Sequence, residues 1–108
     1  MSLSGTIEYN AIANVTESGE IKAAVANKSI VVTSLIISAD AAGTVTFKSD
    51  DGSGTALAGI LYFAANSSTI FPHRYDGYFA TVSGEALFAT ITTALTINAS
   101  FTITYRLV

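Results

Sequence analysis

Hydrophobic and polar residues alternate along much of this chain, with a period of two that is typical of β-strands and not of helices. The clearest run is ALTINASFTITYRLV (94–108), in which odd-numbered positions from Leu95 to Leu107 are apolar and even-numbered positions from Thr96 to Arg106 are polar. GTVTFKS (43–49) shows the same alternation. Both segments are predicted to be strands with one buried face and one face in water.

Two further segments are apolar on both predicted faces. In SIVVTSLIISA (29–39), strict alternation places Ile30, Val32 and Ile36 on one face and Val31, Leu35 and Ile37 on the other. TALAGILYFAA (55–65) is similar, with Gly59 as a predicted bulge or close contact. A strand of this kind is central in a sandwich or has its outer face covered by another subunit. We therefore expect self-association.

Turn signals follow one another at short intervals, as expected for many short strands. They include Ser18-Gly19, Asp76-Gly77, Ser83-Gly84 and the sequence SDDGSG (49–54). ESGEIKAAVANK (17–28) fits either two turns of helix or an alternating strand. The whole pattern predicts one all-β domain over residues 1–108, a two-sheet antiparallel sandwich of about eight strands.

Composition narrows the classes of function. The chain carries a net charge of −3 and its five Lys and Arg residues are scattered, whereas nucleic-acid binding requires clustered positive charge. No apolar run is long enough to span a membrane, and the N-terminal sequence lacks the pattern of an export signal. Charged residues make up only 12%, which favours a surface partly covered by protein; a monomer with a Thr/Ser surface is the alternative.

The groups that common active sites use are missing from the sequence. There is no Cys, His73 is the only imidazole, and neither a nucleophile motif nor a Gly-rich phosphate loop is present. The loop KSDDGSGT (48–55) offers Asp50, Asp51 and Ser53 as oxygen ligands for Ca²⁺ but lacks EF-hand spacing. Asp-Gly between alternating strands favours a hairpin instead. We predict a protein that is not an enzyme and uses no cofactor or metal.

One segment, IFPHRYDGYF (70–79), concentrates unusual residues. It holds the only Pro, the only His, one of the two Arg residues and four of the eleven aromatic residues. We predict an interface or ligand loop formed by Phe71, His73, Arg74, Tyr75, Tyr78 and Phe79. Three roles are open: a carbohydrate platform, a subunit contact, or a long connection between the sheets whose rings plug the open end of the sandwich.

Several short motifs over residues 30–108 resemble small proteins from the structural gene clusters of tailed bacteriophages. They are a TVTF-S strand, a G-LAG hairpin return, a Pro loop leading to Gly-aromatic-x-Thr, a GEAL turn and a closing strand that ends in Tyr. In this chain they correspond to Thr44–Phe47, Thr55–Gly59, Pro72, Gly77–Phe79, Gly84–Leu87 and Phe101–Tyr105.

The resemblance implies a small jelly-roll virion protein of the head-decoration, cement or fibre type, usually a trimer, with no catalytic residues. On it we predict a non-enzymatic structural protein in the phage particle, or else in the cytoplasm of the producing host. Its partners would be further copies of itself and other virion proteins. Residues 1–28 would be a less regular N-terminal arm or edge strands. The alternative is a jelly-roll module that binds a carbohydrate or receptor, with a glycan as ligand.

Overall fold

The computed structural model describes residues 7–92 and 98–108, and every regular element in these ranges is a β-strand. The strands are β1 (Glu8–Val15), β2 (Gly19–Lys22), β3 (Ile30–Ala39), β4 (Gly43–Ser49), β5 (Leu61–Phe63), β6 (Ser67–Phe71), β7 (Phe79–Ala80), β8 (Leu87–Thr92) and β9 (Ala99–Leu107). Within the same ranges, the chain forms no helix that is long and apolar enough to cross a membrane.

The strands form two antiparallel sheets. The first sheet has the order β1-β9-β3-β6, with β7 also paired to β3, and the second has the order β2-β8-β4-β5. Apart from β4 to β5 and β6 to β7, consecutive strands lie in different sheets, so the chain passes back and forth between two layers. This jelly-roll-like order confirms the predicted two-sheet antiparallel sandwich.

The inner faces of the two sheets share one core. Phe47 of β4 is fully buried, and its ring stacks on Phe79 with centroids 5.1 Å apart and meets the edge of Phe101 at 5.7 Å. Inward residues alternate with outward ones along β4 and β9, as the sequence predicts for 43–49 and for the part of 94–108 that the structure describes. Residues 94–97 of the predicted C-terminal strand lie outside the described ranges.

β3 is central in the first sheet, as predicted, because β9 pairs with one edge of β3 and β6 and β7 pair with the other. The strict alternation predicted along β3 is wrong. The pairing of β3 with β9 shifts register between Val32 and Ser34, so Thr33 is an extra residue in a β-bulge. The bulge changes the phase of the alternation, because each added residue moves the following side chains to the opposite face. The core therefore receives apolar side chains from both halves of the strand: Ile30, Val32, Leu35, Ile37 and Ala39.

The long strand predicted over residues 55–65 is also wrong. Only Leu61–Phe63 forms a strand there, preceded by an isolated bridge between Lys48 and Ala56. The chain returns beside β4 through hydrogen bonds from Ser49 N–H to Thr55 C=O (2.9 Å) and from Leu57 N–H to Phe47 C=O (2.8 Å), and it pairs with β4 again at β5. Gly59 makes no close contact, since a Cβ built there meets nothing within 4 Å.

The N-terminal part of the chain supplies one strand to each sheet. β1 and β2 are the outermost strands of the first and second sheets, respectively. Residues 17–28 contain β2, in which Ile21 is buried, so the strand alternative and not the helix is right for this segment.

Candidate functional site

The residues of the predicted interface loop lie in one segment, Phe71–Phe79, called here the aromatic loop. It joins β6 to β7, and both strands pair with the same edge of β3, so it is not a connection between the two sheets as predicted. The loop spans the β3 bulge and is hydrogen-bonded to it. Arg74 N–H donates to Thr33 C=O (2.8 Å) and Tyr78 N–H donates to Val32 C=O (2.8 Å).

Gly77 allows the loop to lie against β3. Its φ is +80°, in the left-handed region, and its N–H closes a turn by donating to Arg74 C=O (2.9 Å). A Cβ at this position would lie 2.6 Å from Val31 Cγ1 and 3.1 Å from Val32 C=O. Both the backbone angle and the available space therefore require glycine here.

Three rings of the aromatic loop face the gap between the two sheets. Phe71, Tyr78 and Phe79 line an apolar cavity of about 120 Å³ together with Leu35, Ala58 and Leu61. Phe71 meets Tyr78 edge to face, with ring centroids 5.5 Å apart, and the Tyr78 hydroxyl donates to Pro72 C=O. These rings pack between the two sheets of the sandwich.

The other side chains of the loop lie over the outer face of the first sheet. His73 Nε2 is 2.6 Å from Glu8 Oε1 on β1, so the loop reaches across β3 and β9 to the far strand. The Arg106 guanidinium of β9 lies over the Tyr75 ring, 4.9 Å from its centroid. Arg74 lies over Tyr78 at 5.3 Å. The predicted site residues are thus brought together, largely in contact with one another or with the sheet.

Glu8 brings a carboxylate to this end of the face, opposite the guanidinium-bearing Arg106 of β9. The hydrogen bond with His73 holds the pKa of the Glu8 carboxyl below its usual value, with smaller contributions from Thr33 and from the positive charge of Arg106. The ionised carboxylate is therefore the form that fits the folded loop, and the His73–Glu8 contact joins the loop to β1.

The acidic loop after β4 forms a closed turn. Asp51 Oδ1 accepts hydrogen bonds from Ser53 N–H (2.9 Å) and Ser53 Oγ (2.7 Å), which hold the pKa of the Asp51 carboxyl below its usual value. Lys48 Nζ donates to Gly52 C=O (2.8 Å). The chain reverses here as the Asp-Gly signal predicts, and its polar groups bond within the turn. Among the described residues, no three His, Cys, Asp or Glu side chains are grouped to hold a metal ion.

The outer face of the first sheet also carries apolar residues that the sequence pattern did not single out. Antiparallel pairing aligns Ile12 of β1, Thr102 of β9, Ile36 of β3 and Ile70 of β6 across the sheet. The three isoleucines of this isoleucine row are 70%, 41% and 67% exposed. The sequence feature that could have revealed them is an Ile at a position where the alternation places polar, outward residues, as in YNAIAN (9–14) and SSTIF (67–71).

The rows on either side of the isoleucine row are polar but uncharged. Asn14, Ser100, Ser38 and Ser68 form one of them, and Asn10, Thr104 and Ser34 form the other. The row that contains Asn14 borders an open groove of about 360 Å³, whose lining also includes Asp40, Asn66 and Asn98. Asp40 accepts hydrogen bonds from the backbone N–H (2.8 Å) and side-chain amide (2.7 Å) of Asn98, which lower the pKa of its carboxyl.

Comparison with known proteins assigns no family to this chain: no family model matches it, and no curated protein is significantly similar to it. Two surface features are therefore left from which a function can be inferred. One is the aromatic loop, held against the sheet by contacts within the chain. The other is the isoleucine row with the uncharged polar rows on either side of it.

Proposed function

We propose that this protein is a non-enzymatic structural component of a phage particle, which acts by packing its sandwich against further copies of itself and against other virion proteins. The isoleucine row carries this proposal. Ile12, Ile36 and Ile70 lie in register between two rows of Ser, Thr and Asn, and the charged pair Glu8 and Arg106 lies one row further along the same face. A surface of this kind resembles the charge-depleted core of a protein interface.

Burial of the isoleucine row at a contact would stabilise a complex. Full burial of one isoleucine side chain stabilises a complex by about 1.5–3 kcal/mol, and Ile12 and Ile70 are each more than 60% exposed in the single chain. The flanking Ser, Thr and Asn side chains need no charged partner when a second protein excludes water from them. A stable contact can therefore form here without burying an unpaired charge.

The aromatic loop supports a structural role in a different way. His73 binds Glu8, Tyr75 lies on Arg106, and Tyr78 is held by Pro72 and Arg74. These contacts join β1, β9 and β3 at one end of the outer face. The loop thus braces the surface that we propose for assembly.

The phage assignment rests on the resemblance of the sequence motifs, whose positions in the fold are consistent with it. TVTF lies in β4, GEAL leads into β8, and FTITY lies in β9. All three supply core side chains, including Phe47, Leu87 and Phe101. We propose the virion as the location, with the cytoplasm of the producing host before assembly. A trimer is the assembly that the resemblance implies.

The mass in solution tests self-association. We expect light scattering on a size-exclusion column to give a multiple of 11.2 kDa for the natural chain. Ile36→Lys should shift it toward the monomer, because the ammonium group would be desolvated at the contact. Thr46→Lys, at an outward position in the middle of β4 in the second sheet, is the matched control and should leave the mass unchanged. A natural chain that stays monomeric at every concentration would overturn the proposal.

A carbohydrate-binding module is the second candidate, and the polar groove favours it. Amide, hydroxyl and carboxylate groups from Asn14, Asn66, Ser68 and Asp40 line that groove and are the groups that bind sugar hydroxyls. An exposed row of Tyr75, Tyr78 or Tyr62 would also favour a sugar site, but Tyr75 and Tyr78 each lie against an arginine. A glycan array separates the candidates: binding that Asn14→Ala and Asn66→Ala both abolish would favour the module.

A further inference from the structure

The two edges of the first sheet differ in how open they are to another strand. At one edge, β6 and β7 are short and the aromatic loop interrupts them. At the other edge, β1 runs without interruption for eight residues, and no strand in the described ranges pairs with its outer side. An unpaired strand edge presents a row of N–H and C=O groups that can pair with another chain.

β1 also lacks the features that usually prevent such pairing. Its sequence, EYNAIANV, contains no Pro and no Lys, and its only charge is Glu8 at the first position. Its pairing with β9 is continuous from Glu8 to Val15, without a bulge that would bend the edge away. Exposed edges in soluble proteins are normally short, charged, bulged or covered.

We propose that two copies of this chain join through antiparallel pairing of their β1 strands about a two-fold axis at Ile12. This proposal rests on the proposed function of self-association, and its two-fold symmetry requires an even number of chains in place of the trimer that the sequence resemblance implies. The first sheets of the two copies then form one continuous sheet. Over eight residues the paired strands run for about 27 Å, at about 3.4 Å per residue.

The pattern of side chains selects this register. In a flat continuous sheet, residues that pair directly must have their side chains on the same face. The two-fold axis must therefore lie midway between the two copies of one β1 residue, which pairs with itself. With the axis at Ile12, each Ile12 lies opposite Ile12 of the second copy, and Asn10 lies opposite Asn14. An axis at Ala11 or Ala13 would place Ile12 opposite an asparagine instead.

This register also places compatible side chains opposite each other on both faces of the strand. The isoleucine row continues from one copy into the other, so Ile12, the most exposed of the three isoleucines, gains an apolar neighbour. On the inner side, Tyr9 lies opposite Val15 and Ala11 opposite Ala13. Glu8 lies opposite Thr16, so the pairing places no two like charges opposite each other.

Disulfide trapping tests the pairing directly, because the chain contains no cysteine. In Ile12→Cys, antiparallel pairing would place the two Cα atoms about 4.5–5.5 Å apart, within the range of about 4.4–6.8 Å that a disulfide requires. Oxidation under mild conditions should give a covalent dimer at least ten times faster than in Ile70→Cys. Position 70 is a matched control, since it is 67% exposed against 70% for Ile12 but lies at the opposite edge.

A second pair of variants tests the register. Asn10→Cys and Asn14→Cys should cross-link to each other when the two proteins are mixed, and neither should cross-link efficiently to itself. Efficient self-linking at position 10 or 14 would overturn the axis at Ile12.

The mass in solution separates failure of this inference from failure of the proposed function. An even number of chains together with cross-linking at position 12 supports both proposals. An oligomer that does not cross-link at position 12, or a trimer, overturns the β1 pairing and leaves self-association standing. A monomer that does not cross-link overturns both.

Discussion

The outer faces of the two sheets differ although both arise from the same alternation of residues. The first sheet exposes the isoleucine row of Ile12, Ile36 and Ile70 between uncharged rows. The middle rows of the second sheet contain threonine, with Thr46 opposite Thr90 and Thr44 opposite Thr92, and the exposed ring of Tyr62 on β5 extends the Thr44 row. Each face also has a row that contains charge: Glu8 and Arg106 in the first sheet, and Lys48 and Glu20 on either side of Phe88 in the second.

Isoleucine and threonine are both β-branched, so either residue suits a strand equally well in backbone terms. They differ in what the side chain gains from water. A threonine hydroxyl can bond to solvent, whereas an exposed isoleucine gains only when another apolar surface covers it. The contrast supports our proposal that the contact between copies involves the outer face of the first sheet.

The largest effect should come from the core that both sheets share. Phe47→Ala removes a fully buried ring that contacts Phe79 and Phe101, and we expect it to lower the free energy of unfolding by about 3–5 kcal/mol. Urea denaturation monitored by circular dichroism measures the change, because the chain has no tryptophan for fluorescence. Tyr62→Ala removes a ring that is 77% exposed on the second sheet and should change stability far less. Equal losses would contradict the assignment of inner and outer faces.

The next effect concerns the aromatic loop, whose backbone is hydrogen-bonded to β3 of the first sheet. Gly77→Ala forces a Cβ against Val31 at a φ of +80°, and we expect a loss of about 1–3 kcal/mol of stability. Gly59→Ala is the matched control, because a Cβ there meets nothing within 4 Å and the position has no positive φ. Thermal melts of both variants would show a destabilised Gly77→Ala and an unchanged or slightly stabilised control. Similar melting of the two would mean that the loop does not lie closely on β3.

An exchange of residues between the outer faces tests the comparison itself. Ile36→Thr should weaken self-association about tenfold, equivalent to about 1.4 kcal/mol, while changing the stability of the single chain by less than about 1 kcal/mol. Thr46→Ile should leave the natural association intact. Sedimentation velocity over a concentration series measures both variants. If association became weaker in Thr46→Ile and stayed unchanged in Ile36→Thr, the contact would be assigned to the second sheet.

The smallest effect should be a dependence on pH at the braced end of the first sheet. Because the His73 contact lowers the pKa of Glu8 in the folded chain, its ionised carboxylate stabilises the fold above the ordinary value of 4.5. That contribution is lost as pH falls through the lowered folded-state pKa. Thermal melts from pH 7 to pH 3 should show the natural chain more stable than Glu8→Gln at pH 7, with the difference disappearing under acid conditions. A difference that grows toward pH 3 would contradict this assignment.

The sequence predicted the fold best where one strand face is purely polar. Thr and Ser mark the outer face of β9 and β4. Their alternation with Phe101, Ile103 and Phe47 was therefore sufficient to predict which face of each strand is buried. For the candidate site, the sequence found the aromatic loop but not what it contacts. His73 and Glu8 are 65 residues apart in the chain, and no local pattern links them.

What the sequence by itself determined is the β-strand period, the inward faces of β4 and β9, and the turn at Gly77. Each follows from a property of a few neighbouring residues. What only the tertiary structure decided is the bulge at Thr33, the short β5 and the alignment of three isoleucines from three strands. A bulge is one residue of mismatch between paired strands, and a row exists only across strands. Both depend on which segments pair and in what register, and hydrogen bonding and packing between distant parts of the chain settle that choice.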